Sequence, residues 1–275
     1  MARTRAILSW SSGKDSAWAL HLLPQRGDVE VVALLTTVNR VHERVAMHAV
    51  RADLLRAQAR AAGLPLWEVP IPSPCSNAEY EAAMGEAMAR AKREGIEAVA
   101  FGDLFLEDIR RYREERLRPV GLEPLFPLWG LPTPQLASDM IAGGLRARLT
   151  CVDPKQLAPA RDYVGRDFDA QLLADLPEGV DPCGERGEFH SFAYAGPMFR
   201  DPAGVPVRTG AVVERDGFVF ADLLPLPFSE SLCHRCAAPP RYVPTATSTF
   251  VLCPLPPRKY PPQPVRACPL FKRRV

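Results

Sequence analysis

The sequence has no apolar run approaching the roughly 20 residues that a membrane-crossing helix needs, which excludes a protein built on such helices. Near its start, MARTRAILSW holds only a very short apolar stretch before the polar SSGKDS. An export signal requires an apolar core of about 7–15 residues, so a cytoplasmic location and no membrane partner are expected. Internal repeats are absent, which excludes solenoids and propellers. Lysine is scarce, at five of 34 basic residues; the resulting arginine bias fits a GC-rich coding sequence. The seven cysteines are odd in number, and four of them fall in the last 43 residues. That pattern argues against the disulfide framework of a small secreted scaffold.

What is present is the composition of a globular protein: 47% hydrophobic and 24% charged residues. A length of 275 residues suggests one large domain and something smaller. The net charge of +2 hides an asymmetry. Residues 229–275 carry eight basic side chains and one acid, Glu230, whereas the preceding chain is mildly acidic. A basic tail points either to nucleic acid or simply to solubility.

Strand and helix patterns alternate up to about residue 176. Residues 5–10 and 29–38 read as buried strands, 66–71, 97–101 and 147–152 as further strands. Helices are expected over 15–23, 47–62, 78–94, 104–117 and 134–142, the third capped by Asn77. Such alternation predicts an α/β fold with a parallel sheet and crossover helices. Beyond about residue 180 come short strand-like runs, with Asp216-Gly217 as a hairpin turn. The last 47 residues hold ten of 29 prolines, which rules out helices there. The expected division is 1–130 for a nucleotide-binding domain, 131–228 for a smaller mixed α+β substrate region, and 229–275 for a tail.

The sharpest local signal is AILSWSSGKDSAWAL at 6–20: strand, small polar turn, helix. Unpaired N–H groups and the positive dipole end at a helix start suit a phosphate. Ser11, Ser12 and Gly13 would let the backbone approach it, Lys14 would add a cation, Asp15 could help hold a metal, and Ser16 closes the loop. It is not a Walker loop, because Leu8 and Asp15 stand where glycine and Ser/Thr are required.

SSGKDS resembles the S-G-G-x-D-S loop of PP-loop ATP pyrophosphatases, which cleave ATP between the α and β phosphates. More of the chain resembles one branch, the diphthine–ammonia ligase family. Its FGD motif appears as Phe101-Gly102-Asp103 and its PLW as Pro127-Leu128-Trp129. Its G-E-x-G-E-[FY]-H-T motif appears as Gly184-Glu185-Arg186-Gly187-Glu188-Phe189-His190-Ser191, followed by GPMF at 196–199. The likeness covers about residues 1–225. Ser12 departs from the family's glycine, and Ser191 from its threonine.

The resemblance implies a Rossmann-like PP-loop (HUP-type) domain and an AMP-forming ligase. ATP would activate a carboxylate as an acyl-adenylate, and ammonia would displace AMP to leave an amide. Diphthamide belongs to archaeal and eukaryotic elongation factor 2, so the acceptor is either diphthine there or another carboxylate. ATP would meet Ser11–Ser16, Thr36, Thr37, Gly102 and Asp103, with Mg²⁺ on Asp103 or Asp15. Lys14, Glu188 and His190 would act in catalysis. Glu188 and His190, two apart, would share a strand face. Asp108, Arg111, Glu185, Gly187 and Ser191 would meet the substrate. His48 and Arg51 on the second helix read as a surface or packed face. Cys183 could be a reactive thiol or a packed small side chain.

The tail cysteines read C-x₂-C-x₁₆-C-x₁₄-C (Cys233, Cys236, Cys253, Cys268), spacing that could close a tetrahedral zinc site. An iron–sulfur cluster and no metal are the alternatives. Two other readings of the whole chain compete. One is a PP-loop enzyme that modifies tRNA, using the basic tail; the other is an adenine-nucleotide sensor without turnover.

Overall fold

The computed structural model describes residues 3–39, 44–45, 50–226, 232–238, 241–244, 249–255, 265 and 267–272. His48 and the expected first turn of the second helix lie outside them.

The first sheet collects five parallel strands in the order β4-β2-β1-β5-β6. These are β1 (Thr4–Ser9), β2 (Val29–Asn39), β4 (Leu66–Ile71), β5 (Ala98–Ala100) and β6 (Glu123–Leu125). A two-residue β3 (Arg44–Val45) turns back antiparallel to the end of β2. Helices α1 (Lys14–Leu22), α2 (Ala52–Ala62), α3 (Asn77–Arg93) and α4 (Glu107–Leu117) are the crossovers. Alternate residues of β1 go to opposite layers: Ala6, Leu8 and Trp10 enter a core with α1 and α2. Ile7 enters the other layer, with Met88 and Ala91 of α3 and Leu117 of α4. Strands covered on both faces explain the uninterrupted apolar runs.

The expected Asn77 cap is corrected. Ser76 is the N-cap: its hydroxyl accepts from Glu79 N at 3.3 Å, and Glu79 Oε2 accepts from Ser76 N at 2.9 Å. This reciprocal box satisfies two helix-start donors; Asn77 is the first helical residue. Strand β6 was not expected, because Glu-Pro-Leu reads as a breaker. Its place at the sheet edge tolerates Pro124, which donates nothing.

The second sheet is antiparallel, in the order β8-β7-β10-β9. It comprises β7 (Arg146–Val152), β8 (Phe189–Ala195), β9 (Val207–Arg215) and β10 (Phe218–Pro225), with α5 (Thr133–Ala142) and α6 (Ala170–Asp175) beside them. This corrects the reading of 147–152 as one more strand of the parallel sheet. Its apolar run suits any strand covered on both sides; long-range pairing with β8 and β10 decides which sheet takes it. Asp216 (φ 53°) and Gly217 (φ 82°) make the β9–β10 hairpin turn with both residues left-handed. One continuous core joins the sheets, running from Leu8, Trp10 and Ala17 to Leu149, Phe168 and Phe192.

In the tail, β11 (Arg241–Pro244) pairs with β12 (Thr249–Leu252). Leu232 N donates to Val265 O and Ala237 N to Lys272 O. Cys233, Cys236, Cys253 and Cys268 form no disulfide. Among the described residues no three His, Cys, Asp or Glu side chains come close enough to hold a metal ion. The expected zinc site is therefore not shown among the described residues, where backbone pairing orders the segment. No helix among the described residues is long and apolar enough to cross a membrane.

Candidate active site

The turn between β1 and α1 lies beside the point where β2 leaves β1 on one side and β5 on the other. Such switch points are where open α/β sheets bind ligands. Ser11 Oγ lies 3.1 Å from Ser16 Oγ and accepts from Gly13 N at 3.3 Å. Ser12 adopts φ 68°, the left-handed region that the family's glycine would enter freely. It is held there from outside the loop: its carbonyl accepts from Ala193 N (2.9 Å) and from Gln58 Nε2 (3.0 Å).

Gln58 was missed in the sequence reading. It is fully buried, also donates to Ala193 O at 2.6 Å, and accepts from Trp10 Nε1 at 3.0 Å. The signal was available: a lone amide in the apolar stripe Leu54, Leu55, Ala59 of α2, where a polar group persists only if satisfied.

Lys14 turns into the protein. Its side chain is 2% exposed. Its Nζ donates to both oxygens of Asp15 (2.9 and 2.8 Å) and to the carbonyl of Cys183. The rings of Phe168 and Phe189 lie 5.6 and 5.5 Å away. Burial would lower its pKa; the Asp15 carboxylate, with Cys183 and Glu185 adding to it, more than offsets burial and holds it above its usual value. Burial pushes Asp15 upward too, against the pull of the ammonium. Lys14 thus ties the loop to the 181–189 segment. Ser191 does the same from β8, its hydroxyl accepting from Lys14 N at 3.2 Å.

The FGD segment reaches the loop through a close backbone approach. A Cβ on Gly102 would lie 2.9 Å from Asp15 C and Ser16 N. Asp103 accepts from Arg113 Nε (2.6 Å) and Nη2 (3.0 Å), and that guanidinium covers the Phe101 ring at 4.2 Å. The two carboxylates expected to hold Mg²⁺ are thus each bonded through both oxygens to a cationic side chain. This donor set does not fit a magnesium site held by the protein.

The GERGEFHS segment folds over the same place. Gly184 (φ 68°) can carry no side chain, since a Cβ would meet Phe189 O at 2.8 Å. The turn sets Glu185 Oε1 to accept from Leu104 N at 2.8 Å, directly after FGD. Glu185 N donates to Asp181 Oδ2 (2.8 Å), and Asp181 N to Glu188 Oε1 (3.0 Å). Burial, with Asp15 and Asp103 adding negative charge, pushes Glu185 up to about 7 against the Leu104 N–H.

Glu188 precedes β8 rather than lying on it, and it is 2% exposed. It and His190 therefore do not share a strand face toward a ligand; Glu188 braces the loop. His190, opposite Cys151 in the β7–β8 ladder, is lowered to about 4 by burial, with Lys14 contributing. The unfolded chain would bind this proton first, near 6.5, so the fold loses stability as pH falls from 6.5 toward 4. His190→Gln is expected to flatten that acid limb, measured as urea midpoints across the interval. Burial raises the Cys183 thiol to about 12, which makes it an inert packed group.

Thr36 and Thr37 do not end β2, which continues to Asn39; they project past the end of β1, where Ser9 pairs with Leu35. Asp108 and Arg111 lie exposed on α4. Gly187 (φ 91°) shapes its turn. Arg51 pairs with Asp222, Nη2 to Oδ2 at 2.6 Å, and so packs against β10. A cavity of about 580 Å³ opens on the α3/α4 side, walled by Ser9, Leu35, Phe101, Met88, Tyr80 and Arg113. The alternation of β1 could have indicated it, since Ser9 is the small residue facing that layer.

Residues 4–124 match the family model described as diphthamide synthase N-terminal domain. A curated protein of Danio rerio named diphthine–ammonia ligase is 30% identical over 176 residues, which cover 58% of this chain and 68% of that protein. The chain belongs to the diphthine–ammonia ligase family. It is therefore an enzyme of the carbon–nitrogen ligase kind. The bovine protein of the same name is 27% identical over 255 residues, 83% of this chain and 91% of that protein. The human one is 29% identical over 144 residues, half of this chain and 52% of the relative. The bovine match, over 83% of this chain, extends beyond the PP-loop domain.

Proposed function

We propose that this ligase uses ATP to adenylate a diphthine-type carboxylate and then amidates it with ammonia, releasing AMP and pyrophosphate. The observation that carries this reading is the convergence of three segments. The PP-loop, the end of β5 and the GERGEFH turn are bonded to one another through Lys14, Ser191 and Glu185.

The start of α1 presents backbone N–H groups and the Ser11 and Ser16 hydroxyls to the phosphates. The cavity between α3, α4 and the ends of β1, β2 and β5 takes the nucleoside, with Phe101 and Leu35 as apolar walls. The acceptor carboxylate attacks the α-phosphorus and pyrophosphate leaves. Ammonia then attacks the acyl carbon and AMP departs with the bonding electrons. Positioning and fixed dipoles supply the acceleration.

The test is product analysis with ATP labelled at the α-phosphate, supplied as its magnesium salt. Ammonium chloride and elongation factor 2 bearing diphthine complete the mixture. Label in AMP, with one amide formed per AMP, is the expected result. Label in ADP, or AMP without amide, overturns it.

A further inference from the structure

Five carboxylates gather around the PP-loop: two are bonded to a cation through both oxygens, and two more are buried. Asp15 receives Lys14 on both oxygens, and Asp103 receives Arg113 on both. Asp181 and Glu188 are almost wholly buried: Asp181 Oδ2 accepts from Glu185 N and Glu188 Oε1 from Asp181 N, while Glu188 Oε2 has no hydrogen-bond partner but is sealed from solvent. Glu185 differs. Its Oε1 is anchored by Leu104 N at 2.8 Å, and among the described residues no group donates to its Oε2. It is half-buried, so the free oxygen is accessible without being fully hydrated. Its backbone is fixed on the other side by Asp181, so the carboxylate is aimed rather than swinging.

Resting on the reaction proposed above, we infer that Glu185 is the proton acceptor for the nitrogen donor. Ammonium gives one proton to Glu185 Oε2 and becomes ammonia. The nitrogen lone pair then forms the C–N bond as the C–O bond to AMP breaks, and the second proton leaves to solvent. Overall, acyl-adenylate and ammonium yield amide, AMP and two protons.

The groups facing Glu185 suit this role. Asp15, Asp103 and Asp181 are negative neighbours, Lys14 is the cation, and the Leu104 N–H stabilises the ionised form. They bring the carboxyl to about 7, where it can both accept and release a proton near neutral pH. His190, lowered to about 4, is too weak a base for this, although it lies on the neighbouring strand.

Glu185→Gln keeps an oxygen for Leu104 N and removes the basic oxygen. The full chain would be assayed with diphthine-bearing elongation factor 2 for amide from ammonium and for hydroxamate from hydroxylamine, which is already neutral at neutral pH. Glu185→Gln should lose on the order of 10²-fold or more with ammonium, and hydroxylamine should rescue it to near the wild-type rate. Glu185→Asp, which retains a carboxylate, should recover part of the ammonium rate. The wild-type ammonium rate should rise through an apparent pKa near 7, a limb absent from Glu185→Gln. An unchanged ammonium rate overturns the inference. So does equal loss with both donors in a variant whose thermal midpoint matches wild type. A wild type that forms neither amide nor hydroxamate overturns the proposed reaction itself, and a wild type that works while Glu185→Gln is unaffected overturns only the role of Glu185.

Discussion

Lys14→Ala is expected to lower stability by about 3–5 kcal/mol, the usual cost of removing one partner from a buried ion pair. The ammonium satisfies three oxygens at once: both of Asp15 and the carbonyl of Cys183. Alanine would leave the half-buried carboxylate without its cation and the carbonyl without a donor, and would open a void beside Phe168 and Phe189. At ~2–4 °C per kcal/mol for a chain of this size, the thermal midpoint should fall by on the order of 10 °C. Lys14→Met, similar in length but uncharged, should lose less, because it refills the space. Thermal and urea unfolding of the three proteins decide the matter. A lysine serving only as a phosphate cation would behave differently: Lys14→Ala would keep the wild-type midpoint and weaken only ATP binding.

Gly102→Ala should act in the opposite way, with a small effect on stability and a large one on turnover. The added methyl meets backbone atoms of Asp15 and Ser16 at 2.9 Å, and main-chain atoms cannot rotate aside as a flexible side chain would. Either the FGD segment or the start of α1 must shift by several tenths of an ångström. Displacements approaching 1 Å at a positioned reaction centre cost about 10²-fold in rate. AMP formation should therefore fall by about that factor, with the urea midpoint lowered by ~1–2 kcal/mol equivalent. Retention of wild-type turnover would show that the contact between β5 and α1 does not position the phosphates.

The two variants separate what the PP-loop owes to its own sequence from what it owes to its neighbours. SSGKDS announces a phosphate loop because small residues and a helix start are local properties. Where Lys14 points is not local. On the sequence, a cation beside a phosphate loop reads as a ligand group, but the 181–189 segment supplies a carbonyl and two rings that draw it inward. Asp103 changes meaning in the same way, because Arg113 lies ten residues on and one helix away. Glu188 and His190 looked like a strand pair; the turn at Gly187 delays β8 until Phe189 and leaves Glu188 as a brace. Gln58 could have been found from its place in an apolar stripe. Its three partners could not, since Trp10, Ser12 and Ala193 are separated from it by up to 135 residues.

By itself, the sequence determined the α/β class, most strands and helices of the first 142 residues, the phosphate loop and the family. Each of these rests on local periodicity, turn chemistry or short motifs, which survive without knowledge of distant contacts. The tertiary structure alone decided that strand 146–152 pairs in the second sheet and that Lys14 turns inward to Asp15 and the Cys183 carbonyl. It also left Glu185 half-buried, with one oxygen anchored by Leu104 N. Those outcomes depend on which donors and charges meet across the fold, and burial then makes each such meeting decisive, because an unpaired polar group away from water is costly.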